Sequence, residues 1–197
     1  MKVSAIVLAA GKSSRMGTNK LLLEVGDKKV IEHILNKLKG YPTIVVTGHN
    51  SEEIKPIIDS YGAEEAYNRN YDNGMTTSFQ TGILKLAENT DATFLVLSDT
   101  FAFKNDLLKR MIEKMDNEDE ALLVSPLYRG KKGHPVLVRS DLFNEFLNLR
   151  SDETMKGVIK KYEEKHKYVE GSVWCRIDLD TPEDFEKVKE MWASRST

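Results

Sequence analysis

The sequence predicts an α/β fold: a three-layer, open, mostly parallel sheet with helices on both faces. Three observations carry that prediction. Short apolar runs alternate with segments of helical spacing along the whole chain. The first run, Val3 to Ala10, ends in small residues and a glycine-bounded turn. A later run, Thr93 to Leu97, leads directly into Ser98-Asp99. Polar residues just past the ends of strands lie where an open α/β sheet presents its ligand edge.

Bulk properties narrow the choice. A chain of 197 residues fits one domain, taken as 1–197, with no internal repeat, low-complexity tract or dividing linker. It is 40% hydrophobic and 30% charged, an ordinary balance for a globular protein that buries a core. A net charge of −2 gives no polyanion-binding field, so no nucleic acid is expected as a partner and any affinity for phosphate must be local. The single Cys175 excludes an internal disulfide and a cysteine zinc site. Met1-Lys2 runs straight into the first strand, and no apolar stretch reaches membrane-spanning length. A cytoplasmic location without membrane contact is the expectation.

Val3 to Ala10 reads as a buried strand, short, apolar and closed by a turn signal. Small residues at Ala9, Ala10 and Gly11 leave main-chain amides open to a ligand. Lys12, Arg15 and Lys20 surround those amides with positive charge. Amides and cations at the end of a first strand make a phosphate site; a glycine turn with ordinary surface cations is the alternative. Spacing excludes two familiar phosphate loops. Gly11 and Gly17 enclose five residues instead of four, Lys20 stands three past the second glycine, and no G-x-G-x-x-G is present.

Leu21 to Val25 reads as a short extended segment turned by Gly26-Asp27. Val30 to Leu38 has helical spacing, with Ile31, Ile34, Leu35 and Leu38 on one face, and Gly40-Tyr41-Pro42 stops it. Thr43 to Thr47 is the second clear strand. A short helix from Glu52 to Tyr61 is expected behind a Ser51 cap, despite Pro56 within it. Ala66 to Ser78 is polar and turn-forming, then opens a helix through Phe79, Ile83 and Leu86. Thr76 and Thr77 read as simple caps of that helix.

Thr93 to Leu97 is the third strand. Asp99 behind it is either a ligand-edge carboxylate or a cap for the next helix, which runs to about Met115; Asn105 is the better-placed cap. Asp116 to Glu120 is an acidic surface turn, and Ala121 to Pro126 the fourth strand. Arg129 to Val138 is a basic glycine loop feeding a strand, with His134 inside it. Phe143 to Leu149 and Glu153 to Glu164 read as helices, and Val169 to Trp174 as a short edge segment. Thr181-Pro182-Glu183-Asp184 is a helix start, with Thr181 as cap and Pro182 in first position. Asp178 and Asp180 alternate with Ile177 and Leu179, which places both acids on one face of an extended strand. Paired carboxylates repel unless a cation lies near them.

Taken whole, Leu8-Ala9-Ala10-Gly11-x-Ser13-x-Arg15-Met16-Gly17-x-x-Lys20 resembles the signature loop of the MobA-like nucleotidyltransferases, especially the molybdenum cofactor cytidylyltransferases. The resemblance implies a Rossmann-like, GT-A-like nucleotidyltransferase architecture. It implies that Leu8, Ala9, Ala10 and Gly11 bind nucleotide and that Arg15 and Lys20 are catalytic. Asn68, Gly74 and Ser78, in Asn-x-x-x-x-x-Gly-Met-x-x-Ser, are similar to the family's base-recognition segment. By position Asp99 looks like the family's magnesium aspartate, which also contacts nucleotide. Around it the usual Gly-Asp-x-Pro-Phe is replaced by Ser98-Asp99-Thr100-Phe101-Ala102, a change of turn shape that would crowd the acceptor pocket. Gly133-His134-Pro135-Val136-Leu137 resembles the hairpin bordering the acceptor, which gives His134 a substrate-side role. Asp178-x-Asp180-Thr181-Pro182 resembles the closing motif that completes the Mg²⁺ site; of the two acids, Asp180 is favoured.

The implied reaction is transfer of CMP from CTP to a phosphorylated acceptor, with Mg²⁺ as cofactor. Leu-Ala-Ala-Gly in place of Leu-Ala-Gly-Gly points, by resemblance, to CTP over GTP. A molybdopterin-type pterin cofactor is the implied acceptor, with a molybdenum hydroxylase as downstream partner. The alternatives are transfer to a sugar or polyol phosphate, and a chaperone-like handler of nucleotide or pterin cofactor.

Overall fold

Every residue of β1 (Val3–Leu8) is buried, as its unbroken apolar run requires of a strand covered on both faces. The computed structural model describes residues 1–150 and 153–195. Beyond the loop that follows β1, β2 (Glu24–Val25) and β3 (Lys28–Lys29) form a small hairpin leading into α1 (Val30–Lys37). Then come β4 (Thr43–Thr47), α2 (Ser51–Ser60), β5 (Glu64–Tyr67), α3 (Met75–Ile83), β6 (Ala92–Leu97) and α4 (Leu107–Asp116). The second half continues with β7 (Leu123–Tyr128), β8 (Lys131–Lys132), β9 (Val136–Arg139), α5 (Phe143–Leu147), α6 (Met155–Lys161), β10 (His166–Glu170) and α7 (Pro182–Ala193).

The main sheet runs β10-β7-β9-β6-β1-β4-β5, with β8 attached to β7. Along that path all neighbours are parallel except at β9, which is antiparallel to both β6 and β7. Successive strand residues face opposite layers. Val7, Val45, Phe94, Val96 and Leu137 bury against α1, α2, α4 and α7, whereas Ile6, Leu8, Val46, Leu95 and Val136 bury against α3, α5 and α6. The three-layer, mostly parallel sheet is therefore as expected. Phe79 on α3 meets Phe146 on α5 edge-on at 5.0 Å, an aromatic pairing worth about 1 kcal/mol beyond area burial.

Several local expectations are corrected. Leu21 to Val25 is not extended throughout, because Lys20–Leu22 forms a 3₁₀ turn capped by the Asn19 side chain. Ser51 begins α2 instead of capping it; the cap position is Asn50, whose backbone is left-handed. Helix α3 ends at Ile83, short of Leu86. Thr77 does not cap it either: its hydroxyl donates to the Asn70 and Gly74 carbonyls and accepts from Asn68 Nδ2. Asn105 takes a hydrogen bond from Lys37 Nζ, so it is not a cap, and Asp106 occupies that position. Both α5 and α6 are shorter than the apolar spacing suggests. The last strand, β10, begins at His166 and overlaps the expected Val169 to Trp174 segment only at Val169 and Glu170, and residues 173–176 form a 3₁₀ turn. Residues 177–180 belong to no strand. The start of α7 is as read: Thr181 Oγ1 accepts from Asp184 N at 3.2 Å, and the Asp184 carboxylate accepts from the Thr181 amide.

Two buried imidazoles tie this fold to pH. His166 on β10 meets Ser125 Oγ through Nε2 at 2.8 Å, while its Nδ1 has no partner among the described residues. Burial, reinforced by Lys132, lowers its pKa to about 4. His134 is also lowered to about 4, chiefly by burial, with the Leu95 carbonyl opposing. Unfolded histidine titrates near 6.5, so as pH falls the unfolded chain takes up these protons first. The stability is fully present above pH 6.5 and drains away between 6.5 and about 4, on the order of 3 kcal/mol per imidazole. In urea titrations across that window, His166→Gln is expected to remove roughly half of the loss attributable to the two groups. A pH profile superimposable on wild type would mean that other groups set the acid sensitivity.

Candidate active site

Strand β1 has β4 on one side and β6 on the other, so the chain reverses its direction of winding between β1 and β6. A crevice opens outside the carboxyl ends of two strands at such a switch point. The register pairs Leu8 with Leu97, which sets Ala9-Ala10-Gly11 beside Ser98-Asp99. The cleft there has a volume of about 540 Å³, within the range of small-molecule sites. Leu8, Ala9, Ala10, Gly11, Arg15, Lys20, Gly74, Ser78, Asp99 and Asp180 all line it.

Its electrostatic centre is Lys20. The ammonium donates to Asp180 Oδ1 at 3.1 Å and stands 3.7 Å from Asp99 Oδ2. The side chain is only 14% exposed, because the 3₁₀ turn carrying it is pinned by Asn19 Oδ1 on the Leu21 amide and by Ser13 Oγ on the Lys20 amide. Arg15, on the open side, donates to Asp180 Oδ2 at 2.7 Å. Asp180 is fixed from behind, since its amide donates to Asp184 Oδ2 at 3.3 Å, an extension of the α7 capping box. Burial raises the pKa of Asp99; Lys20 pulls it back, and the Asp180 and Asp178 charges push it higher. A buried acid facing a second acid makes the site demand positive charge.

The remaining sequence candidates are not all at the cleft. Asn68 is buried behind it, where Nδ2 donates to Ser78 Oγ and Thr77 Oγ1, both at 3.0 Å, and Oδ1 accepts from the Asn70 amide. It organises the segment that carries Ser78. Asp178 is exposed and lines no part of the cleft, although its charge reaches Asp99. His134 is not a lining residue; its amide donates to the Cys175 carbonyl at 2.8 Å. Lys12 turns away to pair with Asp72 at 2.8 Å. Nor does the altered turn crowd the cleft. Phe101, Ala102 and Phe103 point into the core, where Phe101 packs on His33, Trp174 and Trp192.

Sequence reading missed Tyr71, Met75, Leu97 and Ser98 as lining residues. A signal for Tyr71 lies in Gly48 directly after β4: a Cβ added there would come within 2.7 Å of Tyr71 Cβ and 3.0 Å of Ala10 Cβ. Only glycine lets the ring approach the phosphate loop so closely.

Two carboxylates from distant parts of the chain, converging on one ammonium, offer hard oxygen donors that fit Mg²⁺ or Mn²⁺. Among the described residues no group of three or more His, Cys, Asp and Glu forms a ready-made metal cage. The donor set therefore suits an ion that takes its other ligands from phosphate and water.

A small-residue loop after β1, the Ser98-Asp99 turn after β6, and convergent cations and acids between them form an open α/β cleft of the kind that nucleotide-handling transferases use. The chain belongs to the MobA-like NTP transferase family, whose domain model matches residues 5–166. It is 28% identical to the molybdenum cofactor cytidylyltransferase of Escherichia coli K12, over 96% of this chain and 97% of that protein. It is 30% identical to the bifunctional protein GlmU of Staphylococcus carnosus over 72% of its own length, and that match spans about a third (32%) of GlmU. In three dimensions it resembles a nucleotidyl transferase of Methanothermobacter thermautotroptrophicus, with a TM-score of 0.82, 23% identity and 98% coverage of both chains. No helix among the described residues is long and apolar enough to cross a membrane.

Proposed function

We propose that the protein transfers a cytidylyl group from CTP to a phosphorylated acceptor, a molybdopterin-type pterin cofactor, and releases pyrophosphate. The observation that carries this reading is the placement of Lys20 between Asp99 and Asp180 in the cleft that Ala10 and Gly11 also line. End-to-end similarity to a cytidylyltransferase supports the choice of base and acceptor.

The chemistry asks for little beyond charge and position. An acceptor phosphate oxygen forms a bond to the α-phosphorus as the α–β bridging bond breaks, and pyrophosphate leaves with the electron pair. The attacking oxygen is already anionic, so no general base is needed. Gly11 and its neighbours offer amides to the phosphates, Arg15 meets the leaving pyrophosphate, and Lys20 meets charge building between the α-phosphate and the leaving oxygen. Triphosphate entering the cleft competes with Asp180 for both cations, which frees that carboxylate. Asp99 and Asp180 would then hold Mg²⁺; when bound, the ion supplies further neutralisation of the phosphate oxygens. Ser78, set by Asn68, and the backbone at Gly74 face the base.

Pyrophosphate release from CTP and Mg²⁺ with a panel of acceptors tests the reading, together with calorimetric titration of CTP, GTP, ATP and UTP. Release with pterin cofactor and preferential CTP binding are expected. Preference for a purine nucleotide would overturn the cytidylyl assignment; release only with sugar or polyol phosphates would overturn the acceptor. Binding without turnover would overturn the transfer itself.

A further inference from the structure

We propose that the cavity between α1, α7 and the segment preceding α4 is a second anion site, built for a phosphate group and separate from the cleft. Its walls include Lys28, His33, Lys37, Asn105, Trp192 and Arg195, and its volume is about 500 Å³. None of these residues lines the nucleotide cleft. The inference does not depend on the transfer reaction.

The argument starts from cations left without acids. Lys37, in the last turn of α1, is partly buried, and its ammonium donates to the neutral side-chain oxygen of Asn105. Arg195 lies over the rings of both Trp174 and Trp192, 5.2 Å from each centroid, a cation–π contact with each. Neither Lys37 nor Arg195 has a carboxylate partner among the described residues. Both line the cavity, and the charge of Arg195 reaches Lys37, whose pKa is lowered by burial first and then by Arg195. Lys28 adds a third charge, matched by Asp27 at 2.6 Å, and Glu32 is engaged at the Lys29 amide.

Lys37 is half-buried and Arg195 exposed at the rim, and two like charges beside one pocket repel unless an anion lies between them. The chain has 31 acids for 29 lysines and arginines, so the absence of a carboxylate partner at Lys37 and Arg195 is not a shortage of acids. Cations arrive from β3, α1 and the turn that follows α7, and the Arg195 fork can engage two oxygens at once. Tetrahedral phosphate offers oxygens in all those directions, whereas a planar carboxylate has only two. His33 closes the floor, with Nε2 committed to the Val25 carbonyl at 2.7 Å.

Trp174 and Trp192 are the only tryptophans in the chain, so intrinsic fluorescence reads this site directly. Titration of the full chain with inorganic phosphate at low ionic strength is expected to give a saturable change. That change should persist in Lys20→Ala, which impairs the cleft, and weaken at least tenfold in Lys37→Ala and Arg195→Ala. Calorimetry supplies a readout that does not depend on the altered ring environment in Arg195→Ala, and Lys37→Gln serves if Lys37→Ala fails to fold. A parallel titration with glycerol 3-phosphate separates the sources: binding as tight as or tighter than phosphate assigns a phosphomonoester, weaker binding the free ion. The site is overturned if wild type shows no saturable change, if equal ionic strength of sodium chloride reproduces it, or if Lys20→Ala abolishes it while Lys37→Ala retains it.

Discussion

Replacing Lys20 by alanine is expected to lower kcat by about 10²–10³ while KM for the nucleotide changes only a few-fold, the pattern for a group that acts mainly in the transition state. The geometry gives the reason. Lys20 is held by its own short turn and by Asp180, so its position is set before any ligand arrives. Amides of the β1 loop and Arg15 remain to bind the triphosphate in the ground state. Lys20→Arg is expected to recover only part of kcat, because the larger fork does not fit between Asp99 and Asp180 at 3.7 and 3.1 Å. Steady-state kinetics at saturating Mg²⁺ decides the matter, and equal losses in kcat and nucleotide affinity would contradict the assignment.

Asp99→Asn is expected to abolish detectable turnover and yet to raise the melting temperature of the ligand-free protein at pH 7, by about 2–4 °C if the penalty is near 1 kcal/mol. Burial and two nearby carboxylates raise the Asp99 pKa above its unfolded value despite Lys20. As pH rises, the unfolded chain gives up this proton first, so ionisation of Asp99 costs stability above the carboxylate range. Asparagine removes that cost. The stability difference should therefore shrink as pH falls into the carboxylate range and wild type takes up the proton. Differential scanning calorimetry at several pH values, without nucleotide or metal, would show it. A lower melting temperature with activity retained would mean that Asp99 is a structural partner of Lys20 and nothing more.

Much of the fold was legible because it rests on continuous burial. Val3–Leu8, Thr43–Thr47 and Ala92–Leu97 are central strands, and their apolar runs announce them. The edges were harder. Strand β5, Glu-Glu-Ala-Tyr, and strand β10, His-Lys-Tyr-Val-Glu, are polar because edge strands keep much of their surface in water, and they formed where a parallel neighbour supplied hydrogen bonds. Caps at Ser51 and Asn105 failed for a related reason. Each local preference competed with a contact from elsewhere, most clearly the reach of Lys37 to Asn105.

At the site the division follows the range of the interactions. Residues 8–20 carry much of their own instruction, since small residues after a buried strand leave the main chain uncovered by side chains, although β4 takes the Ala9 amide through the Val46 carbonyl. The helix start at Thr181-Pro182 is equally local. By itself, then, the sequence determined an open α/β sheet, a small-residue, cation-bearing loop after its first strand, and the acids available to meet it. Tertiary structure alone decided that Asp180 and not Asp178 enters the cleft, that Asn68 stands behind its wall while His134 lines none of it, and that Phe101 packs into the core. Those outcomes depend on contacts between residues tens to more than a hundred positions apart, and spacing along the chain carries no record of which side chains such packing will bring face to face.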